Sequence, residues 1–299
     1  MPELPEVENL RLGLTRHIIG QKILGVKIFK PKLVSGNGTK RIASSKKVKE
    51  FIKGIVGERF IDIDRRAKNL IFKLSNGKRL ISHLKMSGQF VYKNANKKET
   101  IIGGHPIKLS ETKLPNKHSH IIFKLTHGAL YYNDIRMFGY MLYYKDIKDF
   151  EKENHFQFYG IEPLSKEFTL EYFKDSLKNK RGKIKIILMN QKIVTGLGNI
   201  YADESLFEAG IKPLRSPNSL NKKEVEKLYK SIIRILKRAV KVGGSSVATY
   251  RLIDNTKGNY AREHKVYNKY GKPCVNCKTQ LKKIIVGGRT TIFCPKCQK

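Results

Sequence analysis

Four cysteines, Cys274, Cys277, Cys294 and Cys297, constrain the end of this chain more tightly than any other feature. They form two C-x2-C knuckles, which deliver four thiolates in the tetrahedron a structural zinc ion requires. A cluster of this spacing in a cytosolic chain is more often a metal site than a pair of disulfides. Between the knuckles, Lys282–Val286 and Thr290–Phe293 read as strands joined by Gly287-Gly288, a dipeptide suited to a primed hairpin turn. Arg289 then stands beside the tip, where a guanidinium on a rigid hairpin suits phosphate recognition. An ordinary solvated turn residue is the alternative. With every ligand a thiolate, the expected cofactor is one structural Zn2+ that does not activate water.

Charge narrows the partners. Sixty-one Lys and Arg against 25 Asp and Glu give a formal charge of +36 over 299 residues. A field of that sign attracts polyanions, nucleic acid first and an anionic membrane surface second. A general lysine bias accounts for part of the excess. No apolar run approaches the roughly 18 residues that span a membrane. The opening Met1-Pro2-Glu3-Leu4-Pro5-Glu6 is acidic and lacks the basic and apolar regions of a secretory signal. The expectation is a cytoplasmic chain without a membrane partner.

Periodicity divides the rest. Val7, Leu10, Leu14 and Ile18 line one face of a first helix, with Pro5 in its first turn and Gly20 at its end. Glu6 and Glu8 suit the positive end of its dipole. From residue 22 to 145 the pattern is short β-rich runs. Leu70, Phe72 and Leu74 alternate before Ser75-Asn76-Gly77, and Ile121–Leu125 and Ala129–Tyr132 flank His127-Gly128. These runs predict an antiparallel sandwich or barrel. The polar stretch Asn94–Lys117 reads as a long loop. From 150 to 242 the period is helical: Phe168, Leu170, Phe173 and Leu177 mark one helix. Leu220-Asn221 with Glu224 and Val225 starts another with a capping box, running to Gly243-Gly244.

No nucleophilic Ser or Cys motif appears, which directs attention to the amino end. Removal of Met1 leaves Pro2 with a free secondary amine, whose pKa lies near the α-amino value of about 8. Such an amine attacking a sugar C1′ yields a cationic iminium, an electron sink for β-elimination. Glu3 beside it can move protons. A Pro-Glu start also serves as a plain helix lead-in.

Six segments together carry a resemblance. Pro2-Glu3-Leu4-Pro5-Glu6-Val7-Glu8, Arg65-Arg66-Ala67-Lys68, His83-Leu84-Lys85-Met86-Ser87-Gly88, Asp134-Ile135-Arg136-Met137-Phe138-Gly139, Gly198-Asn199-Ile200-Tyr201-Ala202 and the cysteine hairpin occur in one order along the chain. In that order they resemble the bacterial formamidopyrimidine-DNA glycosylases. The resemblance implies an α+β multidomain fold: an N-terminal helix plus antiparallel β-sandwich (1–148), a helix-two-turn-helix domain (149–262) and a C-terminal zinc-finger hairpin (263–299). DNA is expected in the cleft between the two lobes.

The resemblance also implies activity and roles. The chain would excise oxidised purines such as 8-oxoguanine and formamidopyrimidines from double-stranded DNA, then cut the strand by β,δ-elimination. It would work as a monomer in the bacterial cytoplasm, at the nucleoid. Pro2 resembles the nucleophile, Glu3 the general acid/base and Glu6 a carboxylate supporting the amino end. Lys68, Asn199 and Arg289 resemble phosphate grips around an extruded nucleotide. Met86, Arg136 and Phe138 resemble the wedge that fills the gap in the stack, with His83 on the same DNA-binding segment. For Met86 and Phe138, core packing is the alternative. A buried base must be extruded before it reacts, and inserted side chains offset part of that cost.

Three departures stand out. Ile135 and Met137 replace the usual proline and second arginine around Arg136. Ala248 stands where relatives often carry a basic or polar residue. Gly258-Asn259-Tyr260-Ala261-Arg262 lacks a common glutamine. Two other functions compete: an endonuclease VIII-like glycosylase for oxidised pyrimidines, and a non-catalytic DNA-binding zinc protein. The first typically begins Pro-Glu-Gly-Pro, against Leu4 here; the second needs neither Pro2, Glu3 nor Lys68.

Overall fold

The computed structural model describes residues 1–36, 42–96, 100–104, 114–146, 148–149, 152, 156–245 and 258–299. They divide into two compact units. One comprises Met1–Gln157 with Gly243–Gly258; the other comprises Phe158–Val242 with Asn259–Lys299.

The first unit opens on helix α1 (Leu4–Ile18), whose expected apolar face, Val7, Leu10, Leu14 and Ile18, is buried, and Leu4 with it. Nine strands follow among the described residues: β1 (Ile23–Ile28), β2 (Phe60–Arg66), β3 (Asn69–Leu74), β4 (Arg79–His83), β5 (Gly88–Asn94), β6 (Thr100–Gly104), β7 (Ser119–Leu125), β8 (Gly128–Asp134) and β9 (Tyr140–Tyr144). They form a five-stranded sheet ordered β1-β7-β8-β5-β6 and a four-stranded sheet ordered β2-β3-β4-β9. Every pairing is antiparallel. Of the sandwich and the barrel left open by the strand pattern, the sandwich is found. Phe60, Phe72 and Met141 of one sheet share a core with Phe90, Phe123 and Tyr132 of the other and with Val7, Leu14 and Ile18 of α1.

Two expectations for this region need correction. A second helix, α2 (Ser45–Ile55), interrupts the β-rich stretch, capped by Ser44 accepting from the Lys47 N–H. Its signal was present: Val48, Phe51, Ile52 and Ile55 recur at helical spacing. Nor is Asn94–Lys117 all loop, because β6 pairs with β5 from Lys93↔Thr100 to Gln89↔Gly104. Residues 97–99 and 105–113 of that stretch lie outside the described residues, as does Ala248.

The second unit contains α3 (Leu170–Leu177), α4 (Ile184–Met189), α5 (Asn199–Ala209), α6 (Lys222–Lys241) and α7 (Tyr260–Glu263), then the hairpin β10 (Lys282–Val286) and β11 (Arg289–Phe293). The expected capping box of α6 is formed: Asn221 Oδ1 accepts from the Glu224 N–H at 2.9 Å, and Glu224 Oε2 accepts from the Asn221 N–H at 2.8 Å. Helix α5 is its axis, with every residue from Ile200 to Phe207 buried. No helix among the described residues is long and apolar enough to cross a membrane.

Candidate active site

The amino end of α1 is organised by a carboxylate. Pro2, Glu3 and Glu6 are all buried. Glu6 Oε2 accepts from the Glu3 N–H at 2.8 Å, and its Oε1 accepts from the Ser245 N–H at 2.7 Å. Glu6 therefore closes the first turn of the helix and pins it to the returning segment at Gly243–Ser245. Gly244 lies so close that a Cβ there would meet Glu6 Oε1 at 2.8 Å.

Two residues further on, Glu8 fixes a second site segment. Its Oε1 accepts from Arg11 Nη2 at 2.6 Å, and its Oε2 accepts from Arg65 Nε at 2.8 Å. Burial pushes the Glu8 carboxyl up, but the two arginines outweigh it and hold it below the ordinary carboxylate range. Arg65 Nη1 donates in turn to Ala67 O at 2.9 Å. Ala67 and Lys68 form the two-residue turn between β2 and β3, with Arg66 paired to Asn69. Ala67 adopts φ 55°, a conformation that costs a non-glycine residue free energy and tends to cluster at working sites. The chain Glu8–Arg65–Ala67 thus sets the buried Lys68 relative to the helix that bears Pro2 and Glu3.

The remaining segments of this unit are joined through aromatic and imidazole groups. Tyr140 Oη donates to Asn69 Oδ1 at 3.1 Å, and the Tyr140 ring lies 5.8 Å from that of His83. His83 is buried, and its Nδ1 accepts from the Lys85 N–H at 2.9 Å. It therefore shapes the β4–β5 loop from beneath. Met86 on that loop is 41% exposed, and Phe138 on the β8–β9 loop is 51% exposed. Neither is a core residue. Arg136 stacks on Phe138, its Cζ 4.6 Å from the ring centroid. Met137 packs partly buried against the sandwich core.

In the second unit, Asn199 begins α5 and donates from Nδ2 to Thr290 O at 3.2 Å. It is thereby joined to the residue after Arg289. Gly287 and Gly288 have φ of 55° and 70°, the primed turn expected of them, and Arg289 is exposed at the tip. The four cysteine sulfurs lie within 4.8 Å of one another. Cys274 Sγ is 3.9 Å from Cys297 Sγ, and Cys277 Sγ is 3.5 Å from Cys294 Sγ. Tetrahedral thiolates at the usual zinc–sulfur bond length stand about 3.8 Å apart, so the set fits one structural zinc ion.

Several supporting residues escaped the sequence reading. Lys185 and Asp203 form an ion pair at 2.6 Å, with side chains 0% and 1% exposed. Burial pushes the Asp203 carboxyl up to about 7 against the pull of Lys185. Lys185 Nζ also donates to Thr291 Oγ1 at 2.7 Å, bracing β11 on α4 and α5. Glu204 accepts the N–H groups of Lys265, Val266 and Tyr267 at 2.8–2.9 Å. Gln298 accepts from the Cys294 N–H and donates to Ile211 O, both at 2.8 Å. A lysine inside Ile184–Leu188 and two adjacent acids in a helix buried all round were the available signals.

Comparison with known proteins first gives the class, a zinc-finger DNA glycosylase. The profile of the formamidopyrimidine-DNA glycosylase N-terminal domain matches residues 1–141, that of the H2TH domain of the same enzymes matches 159–251, and that of a zinc finger found in FPG and IleRS matches 271–299. A formamidopyrimidine-DNA glycosylase of Desulfitobacterium hafniense is 35% identical over 298 residues, covering 100% of both chains. The Lactococcus lactis Fpg in complex with abasic-site DNA superposes with a TM-score of 0.84 at 35% identity, over 99% of each chain. The same protein with DNA containing N7-benzyl-Fapy-dG gives 0.83 at 35% over 100% of each. The chain belongs to the formamidopyrimidine-DNA glycosylase family.

Proposed function

We propose that this chain removes oxidised purines from double-stranded DNA as a monomer and then cuts the strand, with Pro2 as nucleophile. After loss of Met1, the Pro2 nitrogen attacks C1′. The C1′–N9 bond breaks, and the base leaves with the proton that the Pro2 nitrogen gives up on bonding to C1′. Glu3 gives a proton to O4′ as the C1′–O4′ bond breaks and the iminium forms; the iminium then draws electrons as loss of the C2′ proton breaks the C3′–O bond and loss of the C4′ proton breaks the C5′–O bond, each strand end leaving as a phosphate. The observation that carries this reading is the buried Glu6 carboxylate, which holds the Glu3 N–H at one oxygen and the Ser245 N–H at the other. It gives the reacting end a fixed position, as nucleophilic attack demands.

Lys68, Asn199 and Arg289 grip phosphates in this scheme, while Met86, Arg136 and Phe138 occupy the gap left by the extruded base. The division into residues 1–148, 149–262 and 263–299 assigns chemistry, wedge and the Lys68 grip to the first part and the Asn199 and Arg289 grips to the others. Its bacterial relatives support a cytoplasmic location, and a charge of +36 favours residence on the nucleoid. Borohydride trapping on DNA containing 8-oxoguanine tests the mechanism. The protein with Met1 removed should form a covalent adduct. A form retaining Met1, whose Pro2 nitrogen is an amide, should bind DNA without trapping or excising. Normal excision by that form would reject Pro2.

A further inference from the structure

Asp134 ends β8 with no exposed surface, an expensive place for a carboxylate unless it is fully bonded. Both its oxygens are engaged. Oδ1 accepts from Ser87 Oγ at 2.5 Å and from the Arg136 N–H at 3.2 Å, while Oδ2 accepts from the Gly139 N–H at 2.8 Å. Ser87 Oγ itself accepts from the Arg136 N–H at 3.0 Å. The Asp134 main chain is held as well: its N–H donates to His118 O at 3.1 Å, and its carbonyl accepts from His120 Nε2 at 2.8 Å. Ser87 follows Met86; Arg136 and Gly139 bracket Met137 and Phe138. One buried carboxylate therefore ties together two loops separated by 47 residues of chain.

Both loops carry strain that such a tie can hold. Lys85 has φ 49° and Met137 has φ 54°, conformations that persist where the surroundings over-determine them. At Gly139 a Cβ would stand 2.0 Å from Tyr132 Oη and 2.9 Å from Asp134 Oδ2, so the loop closes directly onto the carboxylate. We propose that Asp134 is a positioning residue for base extrusion: through Ser87 it makes Met86 and the Arg136–Phe138 pair one rigid wedge. The inference rests on reading those three residues as the wedge. Side chains that enter a base stack work against the unstacking cost, and two loops ordered independently would add their own ordering entropy to it.

The test compares Ser87→Ala, Ser87→Thr and Asp134→Asn with Phe138→Ala. Three quantities are measured: single-turnover excision of 8-oxoguanine from a duplex, cleavage at a preformed abasic site, and fluorescence of a 2-aminopurine placed beside the lesion. Ser87→Ala should slow duplex excision roughly tenfold, the loss of one hydrogen bond to a charged group. It should blunt the fluorescence rise and affect abasic-site cleavage far less. Ser87→Thr restores the hydroxyl and should recover most of the rate; Asp134→Asn should exceed Ser87→Ala. Equal losses on both substrates, or Ser87→Thr no better than Ser87→Ala, overturn the inference. If Phe138→Ala discriminates between the substrates and Ser87→Ala does not, only the tie is wrong. If Phe138→Ala itself fails to discriminate, the wedge reading falls and the inference with it.

Discussion

In the sandwich, each of three site-bearing segments hangs from a carboxylate, buried at Glu6 and Asp134 and half-buried at Glu8, that receives N–H or O–H groups, whereas the hairpin bearing Arg289 is held by four thiolates and an ion pair with almost no exposed surface. The reason is size. Phe60, Phe72, Phe90 and Phe123 lie in one continuous core shared by two sheets and two helices, so a loop on that frame needs only orientation. One acid per loop supplies it: Glu6 for the amino end, Glu8 through Arg65 for Lys68, and Asp134 for the loops of the proposed wedge. The hairpin is two strands of five residues, too little to fold alone. It borrows a metal at its base and α4 and α5 at its tip. The proposed site residues of the two units are thus held by two different devices.

Breaking the metal end of this contrast should have the largest effect. Cys294→Ala, or a chelator, removes a zinc ion whose binding contributes on the order of 10 kcal/mol to such a fold. Zinc content should fall and DNA affinity with it, while circular dichroism of the sandwich and its heat transition survive. Loss of both units together would show that the hairpin is not separately held.

Lys185→Met comes next. It strands Asp203 without its partner in a dry site, at a cost of about 3–5 kcal/mol. Because burial already raises the Asp203 pKa to about 7 from an ordinary 3.8, the proton-bound form is the one the fold favours. The deficit, read as a fall in Tm, should therefore be large at pH 8 and shrink toward pH 5 as Asp203 takes up a proton. A deficit that does not vary with pH would mean that the pair is not what holds β11.

Glu8→Gln sharpens the sandwich side. Its folded pKa lies below the ordinary value, so its contribution is present above the ordinary carboxylate range and is lost as pH falls through the lowered value. The variant should lose about 1 kcal/mol at neutral pH, and its thermal midpoint should merge with that of the parent protein in strong acid. Midpoints that stay parallel throughout would remove Glu8 from the account.

The smallest effect is Arg289→Ala. An exposed guanidinium at a braced tip should remove about one phosphate contact, flattening the slope of log affinity against log salt by about one unit. Fold and zinc content should not change. An unaltered slope would leave the hairpin as a brace without a contact.

The local readings reached far because they depend on short-range chemistry. The apolar face of α1, the capping box at Asn221 and Glu224, the Gly287-Gly288 turn and the cysteine knuckles were each legible from neighbours a few residues apart. Helix α2 was legible too, through Ser44 and the spacing of Val48, Phe51 and Ile55, but its place among strands hid it. Strand β6 was hidden for another reason: it is short, follows polar residues, and exists by pairing with β5.

What the sequence determined by itself was chemistry carried by adjacent residues: four thiolates at knuckle spacing, an amino end that starts Pro2-Glu3, and a charge of +36 that selects a polyanion. The tertiary structure alone decided which polar groups are tied to which. Glu8 could be read as helix-start electrostatics until Arg65 was brought to it, and Met86 and Phe138 as core until their loops were seen to face outward. Lys185 and Asp203 meet across two helices, and Ser87 meets Asp134 across 47 residues. A buried carboxylate needs its partners from wherever the fold delivers them, and no local pattern in the chain records that distance.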